Sequence, residues 1–213
     1  FAQNEASYLA GTLAAIMSKT GAIGFLGAVK NKDIEDFLAG YQAGARQARK
    51  RIRIETAWLE EAAQDLSPFA APDAARKAAL AMYAKGCDII FAVAAGSNIG
   101  VFEAARKTGN FAIGVDQDQD HMAPGYVLTS VVKRLDLAVF TMLRDILANR
   151  FQNKIHVMDL DSGAVGLSPM RYTKVLVPDE TLRTLEQLKQ AINAGRIHVP
   201  TADPVYRFSR RPQ

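Results

Sequence analysis

Asp116, Asp118, Asp120, His121 and Lys133 are the side chains whose types and spacing could do chemistry, and all five lie in one stretch, FAIGVDQDQDHMAPGYVLTSVVK, residues 111–133. The apolar run from Phe111 to Val115 reads as a buried strand, and Asp116 follows at its carboxyl end, where open α/β sheets place their ligands. A second apolar segment, from Tyr126 to Val132, delivers Lys133. An acceptor and a cation would thus converge on a polar small molecule with no nucleophile beside them, a pattern that predicts binding rather than catalysis. Carboxylates at every second position can also wrap a hard cation. An EF-hand, however, needs glycine where His121 stands and glutamate where Val127 stands, so no metal is expected. His121, His156 and His198 are far apart, and no serine occupies a nucleophile elbow. Neither a catalytic residue nor a cofactor is predicted.

Two further features weigh on the site. The loop AAGSNIG, residues 94–100, is built of small residues between a strand and a helix. Such a loop lets backbone N–H groups at a helix amino terminus approach a ligand, with Ser97 or Asn98 adding a hydrogen bond or a helix cap. It can equally be a plain tight turn, since neither a dinucleotide fingerprint nor a phosphate loop is spelled. Phe91 sits near the end of the most apolar strand. It either fills the core, which is the default reading, or presents its ring at a cleft. Phe69 and Trp58 pose the same choice.

The elements that must position these residues alternate between helix and strand. Helical spacing marks Glu5 to Lys19, closing on Gly21, then Asp33 to Lys50, then a helix opened by Pro72 and Asp73 and stopped at Gly86, then Asn98 to Lys107, closing on Gly109. Between them lie strands at Ala22 to Leu26, Ile52 to Trp58 and Asp88 to Ala94. Four such alternations predict an α/β fold with a doubly wound parallel sheet. Past Lys133 the pattern gives a long amphipathic helix through Leu135 and Ile146, a strand at Ile155 to Leu160, a glycine-containing link from Asp161 to Pro169, and a last helix from Pro178 to Gly195. The tail from Pro200 is polar, basic and irregular.

Composition sets the outer bounds. A chain of 213 residues, 49% hydrophobic, can bury one large core or two small ones. A net charge of +4, with its basic residues scattered and without aromatic interleaving, argues against nucleic acid as partner. Cys87 is the one cysteine, which excludes an internal disulfide and any cysteine-based zinc site and leaves it the role of a small buried hydrophobe. No apolar run reaches the length of a membrane span.

The segments EASYLAGTLAA, GAIGFLGAV with DFLAGYQAG, DIIFAVAAGSNIGVFEAA, IGVDQDQ and VLTSVVKRLDLAV, taken in order, resemble the basic membrane protein family of substrate-binding lipoproteins, which contains bacterial purine nucleoside receptors. The resemblance runs from Glu5 to about Leu167. It implies a type I periplasmic binding protein fold, with two doubly wound lobes closing on a nucleoside or nucleobase and handing it to an ABC transporter permease. By that resemblance Asp116 accepts hydrogen bonds from the ribose hydroxyls, Lys133 donates from a crossover between lobes, Phe91 supplies one of two rings around the purine, and Gly96 and Ser97 line the pocket. It also implies an extracytoplasmic protein, periplasmic where there is an outer membrane, held to the membrane by a lipid anchor that this chain does not carry. Residues 1–131 would be mainly the carboxyl-terminal lobe, 132–163 a segment returning to a first lobe that is largely missing, 164–199 a return to the carboxyl-terminal lobe, and 200–213 a tail. Two other functions stay open at this level: a ligand-sensing regulatory domain of the same fold, and a nucleoside-processing enzyme.

Overall fold

The computed structural model describes residues 1–60 and 65–202. Its centre is a six-stranded sheet made of β1 (Ala22–Val29), β2 (Arg53–Glu60), β3 (Ile89–Val93), β4 (Phe111–Asp116), β5 (Val127–Lys133) and β6 (Val165–Leu167). The strands lie in the order β2-β1-β3-β4-β5-β6, parallel except for β6, which runs antiparallel to β5. The sequence therefore winds outward from β1 to β2 and then in the other direction from β3, the doubly wound arrangement that the alternation of helix and strand predicted. β1 and β3 are buried at every position, as strands covered on both faces must be.

The helices divide between the two faces. On one, α1 (Gln3–Met17), α2 (Lys32–Ala48) and α6 (Asp179–Asn193) cover Phe25, Phe91, Ile113 and Val131; on the other, α3 (Pro72–Ala84) and α4 (Asn98–Thr108) cover Leu26, Ile90, Ala92 and Val127. Successive strand residues point to opposite faces, so neighbours such as Ile90 and Phe91 serve different cores.

α1, marked in the sequence by helical spacing alone, is enclosed along most of its length. It is buried from Gln3 to Ala15, and several of its polar groups bond to atoms outside the helix, while Asn4 Oδ1 and Ser7 Oγ have no hydrogen-bond partner among the described residues. Asn4 Nδ2 donates to the carbonyls of Val199 and Pro200, Gln3 Nε2 to Asp33, and Thr12 Oγ1 to Gly44. The contact with α2 is backbone on backbone. A Cβ added at Gly11 would overlap the carbonyl of Tyr41, and one at Gly40 or Gly44 the carbonyls of Asn4 or Tyr8.

One strand is displaced from its expected place. Residues 155–160 form no strand, because their backbone is engaged by the start of α1: Met158 accepts from the Ala2 N–H, and the Leu160 N–H donates to Glu5 Oε2. Leu160 still buries its side chain. β6 forms instead within the segment read as a link, pairing Val165 with Lys133 and Leu167 with Val131. The tail is seen only to residue 202, where the Ala202 N–H donates to the buried Asp36 carboxylate; the rest of the predicted tail lies outside the described residues.

Candidate ligand-binding site

Four strands bring their carboxyl ends to one place. Asn31 and Asp33 follow β1, Ala95 and Gly96 follow β3, Asp116 ends β4 and Lys133 ends β5. The sheet order reverses between β1 and β3, and a crevice at such a switch point is where this architecture holds ligands. Asp116 Oδ1 and Lys133 Nζ lie 2.8 Å apart, and Nζ is also 5.4 Å from the centre of the Phe37 ring. Their side chains are 49% and 31% exposed. A pair this open adds little to stability, and its hydrogen-bonding capacity stays available to a ligand.

The pair stands among three cavities. One, of about 380 Å³, is walled by Ala95, Gly96, Ile99, Gln117 and Met122. A smaller one, of about 190 Å³, adds Phe37, Phe69 and Val93. Both share Ala95, Val115, Asp116 and Lys133, so they are two arms of one recess. A third cavity, of about 690 Å³, opens on the other side of the pair toward Ser168, Met170, Leu182 and Leu185.

Of the residues singled out in the sequence, the structure brings Asp116, Lys133 and Gly96 together on the recess wall. Phe91 it places elsewhere. That side chain is fully enclosed, its ring packed against Tyr41 at 5.3 Å, Phe25 at 5.6 Å and Phe37 at 6.1 Å between centroids. Phe91 is thus a core residue in this structure rather than a ring at the cleft, because the Cβ direction at its position in β3 aims it under α2. The rings that reach the recess are Phe37 and Phe69. Ser97 is also buried, its hydroxyl donating to the Pro68 carbonyl and accepting from the Ala71 N–H, both at 2.7 Å. It anchors the segment that carries Phe69. Asn98 likewise spends its amide on backbone, accepting from the Ala94 N–H and donating to the Ala92 carbonyl.

The other carboxylates of the opening stretch are held by the chain. Asp118 lies 3.9 Å from the Arg171 guanidinium and accepts from the Asp120 N–H, and Asp120 Oδ2 accepts from the Arg171 N–H at 2.9 Å. Burial raises the pKa of Asp120 above the usual carboxylate range. Among the described residues no group of three or more His, Cys, Asp or Glu is placed to hold a metal ion. Gln119, which the sequence alone assigned no role of its own, is buried and also lines the larger arm of the recess, and Phe37 lies on the helix predicted from Asp33 to Lys50.

Comparison with known proteins decides the family. Residues 1–203 match the model of the PnrA-like ABC transporter substrate-binding proteins. The chain belongs to this family. Basic membrane protein D of Borreliella burgdorferi is 41% identical over 149 residues, which cover 69% of this chain and 42% of that protein. Basic membrane protein A of the same species is 35% identical over 211 residues, covering 97% of this chain and 59% of that protein. The chain spans about half the length of the curated relatives it matches. Among solved structures, an ABC transporter solute-binding protein from Aeropyrum pernix superposes with a TM-score of 0.75 at 23% identity, covering 94% of this chain and 65% of that one. A transcriptional activator of the comK gene from Bacillus halodurans superposes with a TM-score of 0.77 at 22% identity, covering 92% and 64%. At these identities the superpositions establish the fold, so this member of the PnrA-like family has the architecture of ABC solute-binding proteins. No helix among the described residues is long and apolar enough to cross a membrane.

Proposed function

We propose that this chain is the ligand-binding part of an ABC importer's substrate-binding protein, that its ligand is a purine nucleoside, and that it performs no catalysis. The observation carrying the proposal is the Asp116 and Lys133 pair on the wall shared by both arms of the recess. A carboxylate has two oxygens with which to accept from the two hydroxyls of a vicinal diol, and an ammonium donates where a ring nitrogen or carbonyl accepts. The partly buried Phe69 ring offers apolar surface that tolerates different bases, and Phe37, only 3% exposed, lines the same arm. Membership in the PnrA-like family supports the transport role and an extracytoplasmic, lipid-anchored location with a permease as partner.

Calorimetry on the full-length protein with adenosine, guanosine, inosine and a pyrimidine nucleoside tests the ligand. Purine nucleosides should bind and Asp116→Ala should cost about 2 kcal/mol, the scale of lost hydrogen bonds to a charged group. Unchanged affinity in that variant would remove the ribose assignment.

We also infer that residues 132–163 pack against a further lobe. The support is α5 (Leu135–Leu147), where Leu135, Val139, Phe140, Leu143, Ile146 and Leu147 are each more than half exposed. A continuous apolar face of that kind is normally covered. The remaining half of the relatives' length would supply the cover.

The fold shared with the comK activator keeps a ligand-sensing regulator as a second reading. The full gene separates the two: a lipid-modified cysteine after a signal sequence goes with transport, a DNA-binding helix-turn-helix with regulation.

A further inference from the structure

Asp116 has a backbone conformation that is uncommon outside glycine, though aspartate enters it more readily than most residues. Its φ is +67°, in the left-handed region, where a residue other than glycine is held by its surroundings. The support is a buried polar knot beneath it. Gln119 Oε1 accepts from the N–H of Val115, the residue before Asp116, at 3.0 Å, and from Asn98 Nδ2 at 3.0 Å. The Gln119 N–H donates to Ser130 Oγ on β5 at 3.0 Å, and the Gln117 N–H donates to the Val115 carbonyl at 2.8 Å. Asn98 in turn bonds the backbone of Ala92 and Ala94 at the end of β3. One amide side chain thus joins the ends of β3 and β4 to the turn that presents Asp116, and Gln119, Asn98 and Ser130 are all buried.

Gly114 makes room for the knot. A Cβ there would lie 2.6 Å from Gln119 Oε1 and 2.6 Å from Ser130 Oγ, so the absence of a side chain on β4 is what lets Gln119 fold back against the strand. Both residues lie in the segment IGVDQDQ, which by itself gives neither of them a role.

We propose that Gln119 is the positioning residue for Asp116: it fixes the left-handed turn so that the carboxylate meets the ligand's diol, and Gly114 is the space it requires. The proposal rests on the ribose reading of Asp116. It predicts that recognition of the sugar hydroxyls depends on Gln119 through the backbone it holds at Asp116, although Gln119 also lines the recess.

The test is a double-mutant cycle on the full-length protein, read by calorimetry with inosine and 2′-deoxyinosine. Gln119→Met, which removes the acceptor and keeps the length, should weaken inosine binding about tenfold or more, and Gly114→Ala should do the same with Gln119 still present. Gln119→Glu retains acceptor oxygens at the same reach and should stay within about threefold of the parent. In an Asp116→Ala background, Gln119→Met should change affinity by less than about twofold, and 2′-deoxyinosine should lose less than inosine in every variant. Melting curves confirm folding; if Gln119→Met does not fold, Gln119→Asn, which withdraws the acceptor by one methylene, takes its place. Equal losses with and without Asp116 would show that Gln119 touches the ligand itself or merely holds the fold, and would overturn the proposal. So would undiminished binding by Gln119→Met in a protein where Asp116→Ala is impaired. An Asp116→Ala variant that binds inosine normally would instead sink the underlying ribose reading.

Discussion

A single side chain can be decided by one hydroxyl. Tyr41 is fully buried between Phe25 and Phe91, and its phenol has no hydrogen-bond partner among the described residues. Burial drives its pKa well above the ordinary tyrosine value. Replacing it by phenylalanine keeps the ring contacts and removes the unpaired group, so Tyr41→Phe should raise unfolding stability by about 1 kcal/mol, measured by urea denaturation. Lys133 is the opposite case. Its ion pair is half open to water, so Lys133→Met should change stability by less than about 1 kcal/mol while weakening nucleoside binding; a large loss of stability with intact binding would make Lys133 structural. Asp116 and Lys133 were legible in the sequence because each ends a clear apolar run. Gln119 was not, since its role exists only once the chain has turned back over Gly114.

Among the helices, the α1–α2 contact and the α5 face make contrasting demands. Gly44 admits no side chain because the Tyr8 carbonyl occupies the space, so Gly44→Val should cost at least the upper part of the roughly 1–3 kcal/mol range typical of overpacking. Gly166, with nothing within 4 Å of a Cβ, should accept alanine with little change; urea midpoints of the two variants compare them directly. On α5 the expectation depends on what surrounds it. Phe140→Ser should alter the stability of this 213-residue chain by less than about 0.5 kcal/mol, since the ring is 62% exposed, yet destabilise the full-length protein by about 3 kcal/mol or more. Equal effects in both would mean that nothing covers α5. Helical spacing alone located these helices correctly, but it could not say that α1 would be enclosed and α5 left open. The stripe on a helix states that it has a partner, not which partner is present.

For the molecule as a whole, burial of ionisable groups sets the alkaline limit. Burial raises the Cys87 thiol to about 11, from an ordinary value of 9.0, and pushes Tyr83 well above 10.0. The folded state therefore keeps protons that the unfolded chain releases. This contribution is fully present below pH 9 and is lost as pH rises toward 11, at up to about 1.4 kcal/mol per pH unit for one proton. Cys87→Ala should flatten the decline between pH 9 and 10 in chemical-denaturation curves, and the wild-type thiol should resist alkylation at pH 8 until the protein unfolds. A slope unchanged by the substitution would assign the loss to the tyrosines.

By itself the sequence determined the doubly wound class, the order of the helices, four of the parallel strands nearly to the residue, and the meeting of Asp116 with Lys133. These follow from local periodicity and from strand ends, which short windows of sequence encode. Tertiary structure alone decided that Phe91 is core and Phe37 and Phe69 are at the recess, that the last strand is Val165–Leu167, and that Gln119 stands behind Asp116. Each of those depends on which face of an element another element covers, or on which backbone groups a distant segment has already engaged. At residues 155–160 the strand pattern was present, and the carboxylate of Glu5, far away in the chain, had taken the hydrogen bond that a strand would have used.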